Sequence, residues 1–382
     1  MPLWHLQLLF SRNKKLWIFG AWFGQKNSDN AFAIYEYLLE NRKDLHPVWI
    51  TRSKIVYNKL IGEKKPVVMC NSLKGIWLNL RAGVVFINNG QTDVNQYFIN
   101  GAKQIWVWHG MPMKKILNDQ RAFVNSDSVL KLKRIIRTTF FPYLNFKVDY
   151  VLNCSDFFTP FMISAFGIES DKLLTLGYPR NDVFFTNKKE RILSIIDNTF
   201  QNPRKILYMP TFRVANINDK SFSPFASFGF SVNEFNKFLD ENNYVFLHKG
   251  HNQDGDLSSR NKLGERFISI DDTNCDNIYT LLKDIDVLIT DYSSVYFDFL
   301  LLNKPIILAP FDFENYISNS RPLYFDYYKE LPHKKAHNWN EVLDLLQDVI
   351  EFTCSEKETA KFHAFQDGKS TERLVNHISN LN

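Results

Sequence analysis

Four short segments carry side chains suited to chemistry on a phosphate. Trp108-His-Gly-Met-Pro-Met-Lys-Lys115 sets a histidine before Gly and Pro, where the chain must leave a strand sharply and expose the ring. Lys114 and Lys115 follow it and can attract an anion. Tyr208-Met-Pro-Thr-Phe-Arg213 places the planar fork of Arg213 just past an apolar run. Phe246-Leu-His-Lys-Gly-His251 again gathers histidines and a lysine behind apolar residues. Leu288-Ile-Thr-Asp-Tyr-Ser-Ser-Val-Tyr-Phe-Asp-Phe-Leu300 reads as a strand to Thr290, then a helix capped by Asp291 or Ser293 and running to about Leu302. Its first-turn amides, with the hydroxyls of Ser293 and Ser294, suit an anion; the plainer reading is an ordinary N-cap. A lone histidine is usually structural, so each segment is weak by itself. Together they suit displacement at a phosphorus or anomeric carbon of a nucleotide-linked donor, with cations meeting the charge of the leaving nucleotide and one histidine as base.

Such residues need strand ends to hold them, and the sequence supplies strands. Lys15–Gly20, Pro47–Thr51, Gly83–Asn88 and Gln104–His109 are short apolar runs, and so are Lys205–Met209, Tyr244–His248, Asp286–Thr290 and Pro305–Ala309. Between the first two, Asp29–Asn41 has Phe32, Ile34, Tyr35, Leu38 and Leu39 at helical spacing. Strand, helix, strand at this rhythm predicts an α/β fold with parallel sheets covered on both faces. The polar stretch after Gly177-Tyr-Pro-Arg-Asn-Asp182 predicts a boundary between two halves, 1–185 and 186–382, the second with a C-terminal helix. Ligands in such sheets sit beyond the carboxyl ends of the strands, here at a central cleft that the two halves face.

At 382 residues, with 45% hydrophobic, 15% aromatic and 23% charged residues, the chain is long enough for two domains and apolar enough to bury a large core. The balance of 46 basic to 41 acidic residues leaves +5, too mild to announce a nucleic-acid binder. Cys70, Cys154, Cys275 and Cys354 lie far apart in sequence, with no zinc or redox spacing, and are read as free thiols. Neither a metal site nor a cofactor is expected. The apolar patch Leu6–Phe10 is too short for a span or a secretory signal, so the expected location is cytoplasmic.

The same motifs, in order, resemble the CDP-glycerol:poly(glycerophosphate) glycerophosphotransferase family of teichoic-acid and capsule synthesis. The resemblance covers Trp22–Asn30, Trp49–Arg52, Trp108–Gly110, Gly177–Asp182, Pro210–Arg213, Thr290–Ser294, Lys304–Pro305, Arg321, Tyr324–Asp326 and Asp367–Lys369. It implies a GT-B-like fold of two Rossmann-like domains and transfer of polyol phosphate from a CDP-polyol, the donor substrate, to a hydroxyl, with release of CMP. It further implies that His109 is the catalytic base and His251 a second catalytic histidine. Asp291, Ser293, Ser294, Arg213, Arg180 and Arg321 would bind the donor. Met111, Asn252 and Pro322 stand where the family usually carries Thr, Pro and Gly. The resemblance leaves open CDP-glycerol against CDP-ribitol, the use of a divalent cation, and a lipid-linked against an oligomeric polyol-phosphate or glycan acceptor.

Residues 128–147 hold Lys131, Lys133, Arg134, Arg137 and Lys147 with no acid, and Val129, Leu132, Ile135, Ile136 and Phe140 at helical spacing. A basic amphipathic helix on an anionic membrane is one reading, placing the protein peripherally on the inner face of the cell membrane; a solvated helix over the core is the other. Two rivals to a phosphotransferase remain: a nucleotide-sugar glycosyltransferase on the same fold, and a non-catalytic membrane- or RNA-binding protein.

Overall fold

The computed structural model of the chain describes residues 4, 6–124, 148–211, 224–250, 263–348 and 355–381. Arg213, His251 and the basic segment 128–147 lie outside them. The chain forms two units, one of Met1–Met111, Leu117–Phe185 and Phe362–Asn382, the other of Pro112–Ile116 and Thr186–Lys361. The last segment, Phe362–Asn382, thus belongs with the first unit rather than with the residues that precede it.

The first unit is built on seven strands: β1 (Asn13–Gly20), β2 (His46–Thr51), β3 (Val67–Met69), β4 (Ala82–Ile87), β5 (Lys103–Trp106), β6 (Tyr150–Asn153) and β7 (Leu173–Thr175). They pair in parallel in the order β3-β2-β1-β4-β5-β6-β7. The unbroken apolar run Leu16–Phe19 is buried throughout, as a strand covered on both faces requires. Helix α1 (Asp29–Asn41) turns Ala31, Ile34, Tyr35 and Leu38 inward. Phe19 stacks on Phe86 with ring centroids 4.9 Å apart, and Tyr35 packs on Phe19 and Trp49. Helices α2 (Lys54–Gly62) and α3 (Leu73–Arg81) begin on serine caps, Ser53 Oγ accepting from the Val56 amide and Ser72 Oγ from that of Gly75.

The second unit repeats the grammar with β8 (Arg204–Tyr208), β9 (Tyr244–His248), β10 (Phe267–Ser269), β11 (Val287–Thr290) and β12 (Ile306–Leu308), parallel in the order β10-β9-β8-β11-β12. Read from its own first strand, this is the order of the first five strands of the other sheet, and both are Rossmann-like. Helices α4 (Val232–Glu241), α5 (Val295–Leu300) and α6 (Trp339–Gln347) cover it. Trp339 packs against Tyr208, Phe225, Phe235 and Phe246, and its indole N–H donates to the Pro224 carbonyl at 2.7 Å.

His333 is buried in this second unit, and its Nδ1 shares a 2.8 Å hydrogen bond with the Tyr296 hydroxyl. Burial lowers its pKa from 6.5 to about 4; Lys335 lowers it further and Glu358 opposes. The unfolded chain therefore binds the proton that the folded one refuses, and stability present above pH 6.5 drains away as pH falls towards 4. The full loss is about 3 kcal/mol. Urea unfolding across that window should show this acid slope, and His333→Gln should flatten it.

Helix α7 (Ser370–Asn380) closes the first unit. The half-buried Asp182 carboxylate accepts from the amides of Ser370 at 3.0 Å and Thr371 at 2.7 Å, capping its first turn. Gly177 makes room for this: a Cβ there would come within 2.4 Å of Ser370 Oγ.

Candidate active site

In both sheets the strand order reverses beside the first strand, between β1 and β4 and between β8 and β11. Ligands of open α/β sheets bind beyond the carboxyl ends of the strands at such points. A side chain bridges each of them. In the first unit Asn89 Oδ1, just past β4, accepts from the Trp22 amide, just past β1, at 3.0 Å. In the second, Asp291 Oδ1, just past β11, accepts from the Thr211 amide, just past β8, at 2.7 Å.

The first-unit cluster centres on His109. Strand β5 stops at Trp106, three residues short of the expected His109, because Trp108 turns into the left-handed region at φ 53°. Gly110 follows at φ 151°, the sharp exit that His-Gly-x-Pro implied. The half-buried His109 ring packs on Trp108 at 4.0 Å and Trp22 at 5.6 Å between ring centroids. Its Nδ1 lies 3.4 Å from Asn89 Nδ2. Trp22 and Phe23 also take positive φ, 49° and 58°. Left-handed non-glycine residues hold stored strain of order 1–3 kcal/mol each, and their gathering around one histidine marks a site the fold over-determines.

Two buried acids hold this corner. Asp93 Oδ2 accepts from the amides of Asn88 at 2.9 Å, Asn89 at 2.7 Å and Gly90 at 3.3 Å, while its Oδ1 accepts from the Phe23 amide at 2.7 Å. Burial pushes its carboxyl up to about 6 against the downward pull of those four amides. Asp29, at φ 71°, accepts from Arg180 Nη1 at 2.9 Å, and both side chains are almost wholly buried. Asn30 Nδ2 donates to the carbonyls of Val107 at 2.9 Å and Trp108 at 3.0 Å, and its Oδ1 accepts from the Arg180 amide at 3.1 Å. The expected donor ligand Arg180 is thus placed in the first unit, paired with Asp29.

In the second unit Asp291 is fully buried, and its Oδ1 also accepts from its neighbour Tyr292 N at 2.5 Å. The carboxylate is a loop cap. Helix α5 is shorter than expected, starting at Val295 and ending at Leu300, with Ser294 at its N-cap. Ser293 and Ser294 are half-buried, and Ser293 Oγ accepts from Val295 N at 3.4 Å. The segment Pro112–Ile116 belongs here and pairs with the loop after Arg321: Lys115 N donates to the Pro322 carbonyl at 2.8 Å and Tyr324 N to the Met113 carbonyl at 2.9 Å. Lys114, Lys115 and Arg321 are brought to one place in this way. Arg321 is half-exposed and makes no ion pair among the described residues. Among those residues no group of three or more His, Cys, Asp or Glu could hold a metal ion.

Asn89, Asp93, Asn30 and Asp29 escaped the reading of the sequence as site residues. The signal available was position: Asn88-Asn89-Gly90 directly follows a strand, and Asp29-Asn30 opens a helix beside another.

A family model described as CDP-Glycerol:Poly(glycerophosphate) glycerophosphotransferase matches residues 3–380. A teichoic acid glycerol-phosphate transferase of Staphylococcus aureus is 29% identical over 378 residues, 96% of this chain and 93% of the relative. A teichoic acid poly(glycerol phosphate) polymerase of Bacillus spizizenii is 28% identical, covering 97% and 93%. A teichoic acid poly(ribitol-phosphate) polymerase of the same species is 32% identical over 220 residues, 56% of this chain and 34% of the relative. Among solved structures, the wall teichoic acid polymerase TagF superposes with a TM-score of 0.72 at 24% identity, covering 97% of this chain and 89% of that one. That likeness fixes the fold as α/β and GT-B-like.

Proposed function

The chain belongs to the CDP-glycerol:poly(glycerophosphate) glycerophosphotransferase family, and from that membership we propose that it moves glycerol phosphate from CDP-glycerol to a hydroxyl of a polyol-phosphate acceptor, releasing CMP. The observation that carries the reading into chemistry is the strained Trp108-His109-Gly110 corner at the end of β5. A ring held there by Asn89 and two tryptophans has the fixed orientation that a general base requires.

In this reading His109 takes the proton of the acceptor hydroxyl as its oxygen attacks the glycerol-side phosphorus. The bond from that phosphorus to the bridging oxygen breaks, and CMP leaves with the bond's electrons. The hydroxyls of Ser293 and Ser294, with the guanidinium of Arg321 and the ammonium groups of Lys114 and Lys115, would hold the donor's phosphates and meet the charge on the leaving group. His251 and Arg213, which lie outside the described residues, keep the roles that the resemblance implies. The pyrophosphate is already activated, so positioning and charge stabilisation do most of the catalysis. Arg180 and Asp291 serve differently, as parts of the frame. Asp291→Asn should then weaken CMP and CDP-glycerol equally, whereas a carboxylate that held the polyol would matter for CDP-glycerol alone. Equilibrium binding of the two ligands separates these outcomes.

Ribitol is the second donor reading, since a relative named for poly(ribitol-phosphate) aligns over 56% of the chain. Incubation with CDP-glycerol and CDP-ribitol in parallel, with a polyol-phosphate acceptor and detection of CMP, tests both. Formation of a glycoside with release of a nucleoside diphosphate would overturn the phosphotransferase reading.

A lipid-linked acceptor and a peripheral place on the inner face of the cell membrane complete the proposal. No helix among the described residues is long and apolar enough to cross a membrane. Besides the segment 128–147, one face of the first unit supports surface docking. Leu73 and Trp77, one turn apart on α3, are exposed, as are Leu8, Leu9 and Phe10. Arg81 covers the Trp77 ring and donates to Ser11 Oγ at 2.9 Å, which joins the two stretches. No acid occurs from residue 1 to Ser28 or from Lys64 to Thr92. Each well-placed Lys or Arg is worth about 1 kcal/mol at an anionic surface. Replacing Lys131, Lys133, Arg134 and Arg137 by Gln, or Leu73 and Trp77 by Ser, should each reduce sedimentation with anionic vesicles. Unchanged sedimentation would remove that element from the docking surface.

A further inference from the structure

Trp108 holds a backbone conformation that its side chain disfavours, and the next residue is His109. Such a conformation persists only where neighbours fix it. The ring of Trp108 is packed edge-to-face on Phe166 at 5.2 Å and parallel to Trp106 at 6.3 Å. Its carbonyl, and that of Val107 before it, receive hydrogen bonds from one side chain, Asn30 Nδ2. Asn30 is the second residue of α1 and has no exposed surface. The third hydrogen bond of its amide, at Oδ1, comes from the Arg180 backbone. One carboxamide therefore ties together the helix start, the strand extension that aims His109, and the turn that carries Arg180.

Chemistry narrows what can stand there. Both amide hydrogens are used, and so is the oxygen, a donor-and-acceptor set that neither Asp nor Leu reproduces. Loss of the two donors orphans two buried carbonyls, one of them the strained carbonyl directly before the histidine. The peptide plane between Trp108 and His109 is then free to rotate towards an unstrained conformation, and the imidazole turns with it. A displacement of about 1 Å at a reacting group lowers rates by about 10²-fold without requiring weaker substrate binding.

We infer that Asn30 is a positioning residue for the transfer reaction, acting through the Trp108 carbonyl to aim His109. The inference rests on the reading of His109 as the base, and the experiment separates the two. His109→Ala, Asn30→Ala, Asn30→Asp, Asn30→Ser and the double variant Asn30→Ala/His109→Ala are made in the full chain. Each is assayed for CMP release from CDP-glycerol, with thermal melting as the check of folding. Asn30→Ala and Asn30→Asp should lower kcat by about 10²-fold, with KM for CDP-glycerol moved less than about threefold. Asn30→Ser, which keeps one donor, should fall between these and the native chain. In the His109→Ala background, Asn30→Ala should change turnover less than about threefold, because nothing is left to aim.

Native turnover by a folded Asn30→Ala chain would overturn the inference. Equal losses from Asn30→Ala in the native and His109→Ala backgrounds would also overturn it, since that is the mark of a purely structural residue. Failure of all three Asn30 substitutions to yield folded protein would make Asn30 a folding determinant and likewise end the proposal. Near-native turnover by His109→Ala alone would instead end the reading of His109 as base.

Discussion

Replacing His109 by alanine is expected to lower turnover by about 10² to 10⁴, the usual worth of a positioned general base, and to leave the fold intact. The ring is half-buried, packed on Trp22 and Trp108 beside Asn89, so its removal disturbs the rim of the site rather than the core. The sheet beneath is held independently by the Asp93 carboxylate and the Asn30 amide, neither of which uses the imidazole in the bonds described above. Binding of CMP should therefore survive, and so should the melting temperature, while CMP release from CDP-glycerol collapses. His109→Asn tests the same point with a side chain that fills part of the space and retains hydrogen bonds. A folded His109→Ala enzyme turning over at the native rate would remove the residue from the mechanism and move the base elsewhere.

Asp29→Ala should destabilise the first unit by about 3–5 kcal/mol, as expected when one partner of a buried ion pair is removed and the other stays charged. Arg180 is buried with its guanidinium on Asp29 at 2.9 Å, and an arginine in a protein does not shed its proton to escape the loss. The pair lies where α1 starts in a left-handed residue, so the anion also holds a strained turn. Urea unfolding of Asp29→Ala, Arg180→Ala and the double variant would measure this. The double variant should be closer to native than the sum of the single losses, since it leaves no unpaired charge. A loss below about 1 kcal/mol for Asp29→Ala would mean that water reaches the guanidinium and that the pair behaves as a surface bridge.

The frame of this protein was readable from sequence where burial imposes long apolar runs. Leu16–Phe19 and Val84–Ile87 are continuous because both faces of the sheet are covered. Strands β3, β7 and β10, of three residues each, and β6, of four, were not anticipated, whereas the equally short β12 was, because it lies within the longer apolar run Pro305–Ala309. The end of β5 was misread for a physical reason. Trp and His continue an apolar run, and nothing local reveals that Trp108 reverses its φ, since the cause is the Asn30 amide some 78 positions away. His109 could be found because Gly and Pro punctuate the chain beside it. Asn30, Asn89 and Asp93 could not, because asparagine and aspartate at strand ends look like ordinary turn formers. Their partners Trp108, Trp22 and Phe23 are supplied by the folded sheet. The serines after Asp291 were legible as a helix start; the capping role of its carboxylate on Thr211 depends on a strand that sequence places 80 residues earlier.

The return of Phe362–Asn382 to the first unit has a consequence for how the chain is made. Asp182 leaves the ribosome long before the amides of Ser370 and Thr371 that it caps, and the Arg42 side chain waits still longer for the Ser379 hydroxyl, 337 positions on. Strands β1 to β7 can associate early, but the turn carrying Arg180 has the Asp182 carboxylate without these donors until the intervening unit has been synthesised. A nascent chain stalled anywhere before α7 should thus expose that turn to protease and lean on chaperones, even with its β-sheet in place. Arrival of α7, rather than completion of the first sheet, is then the moment at which the Arg180 turn becomes rigid.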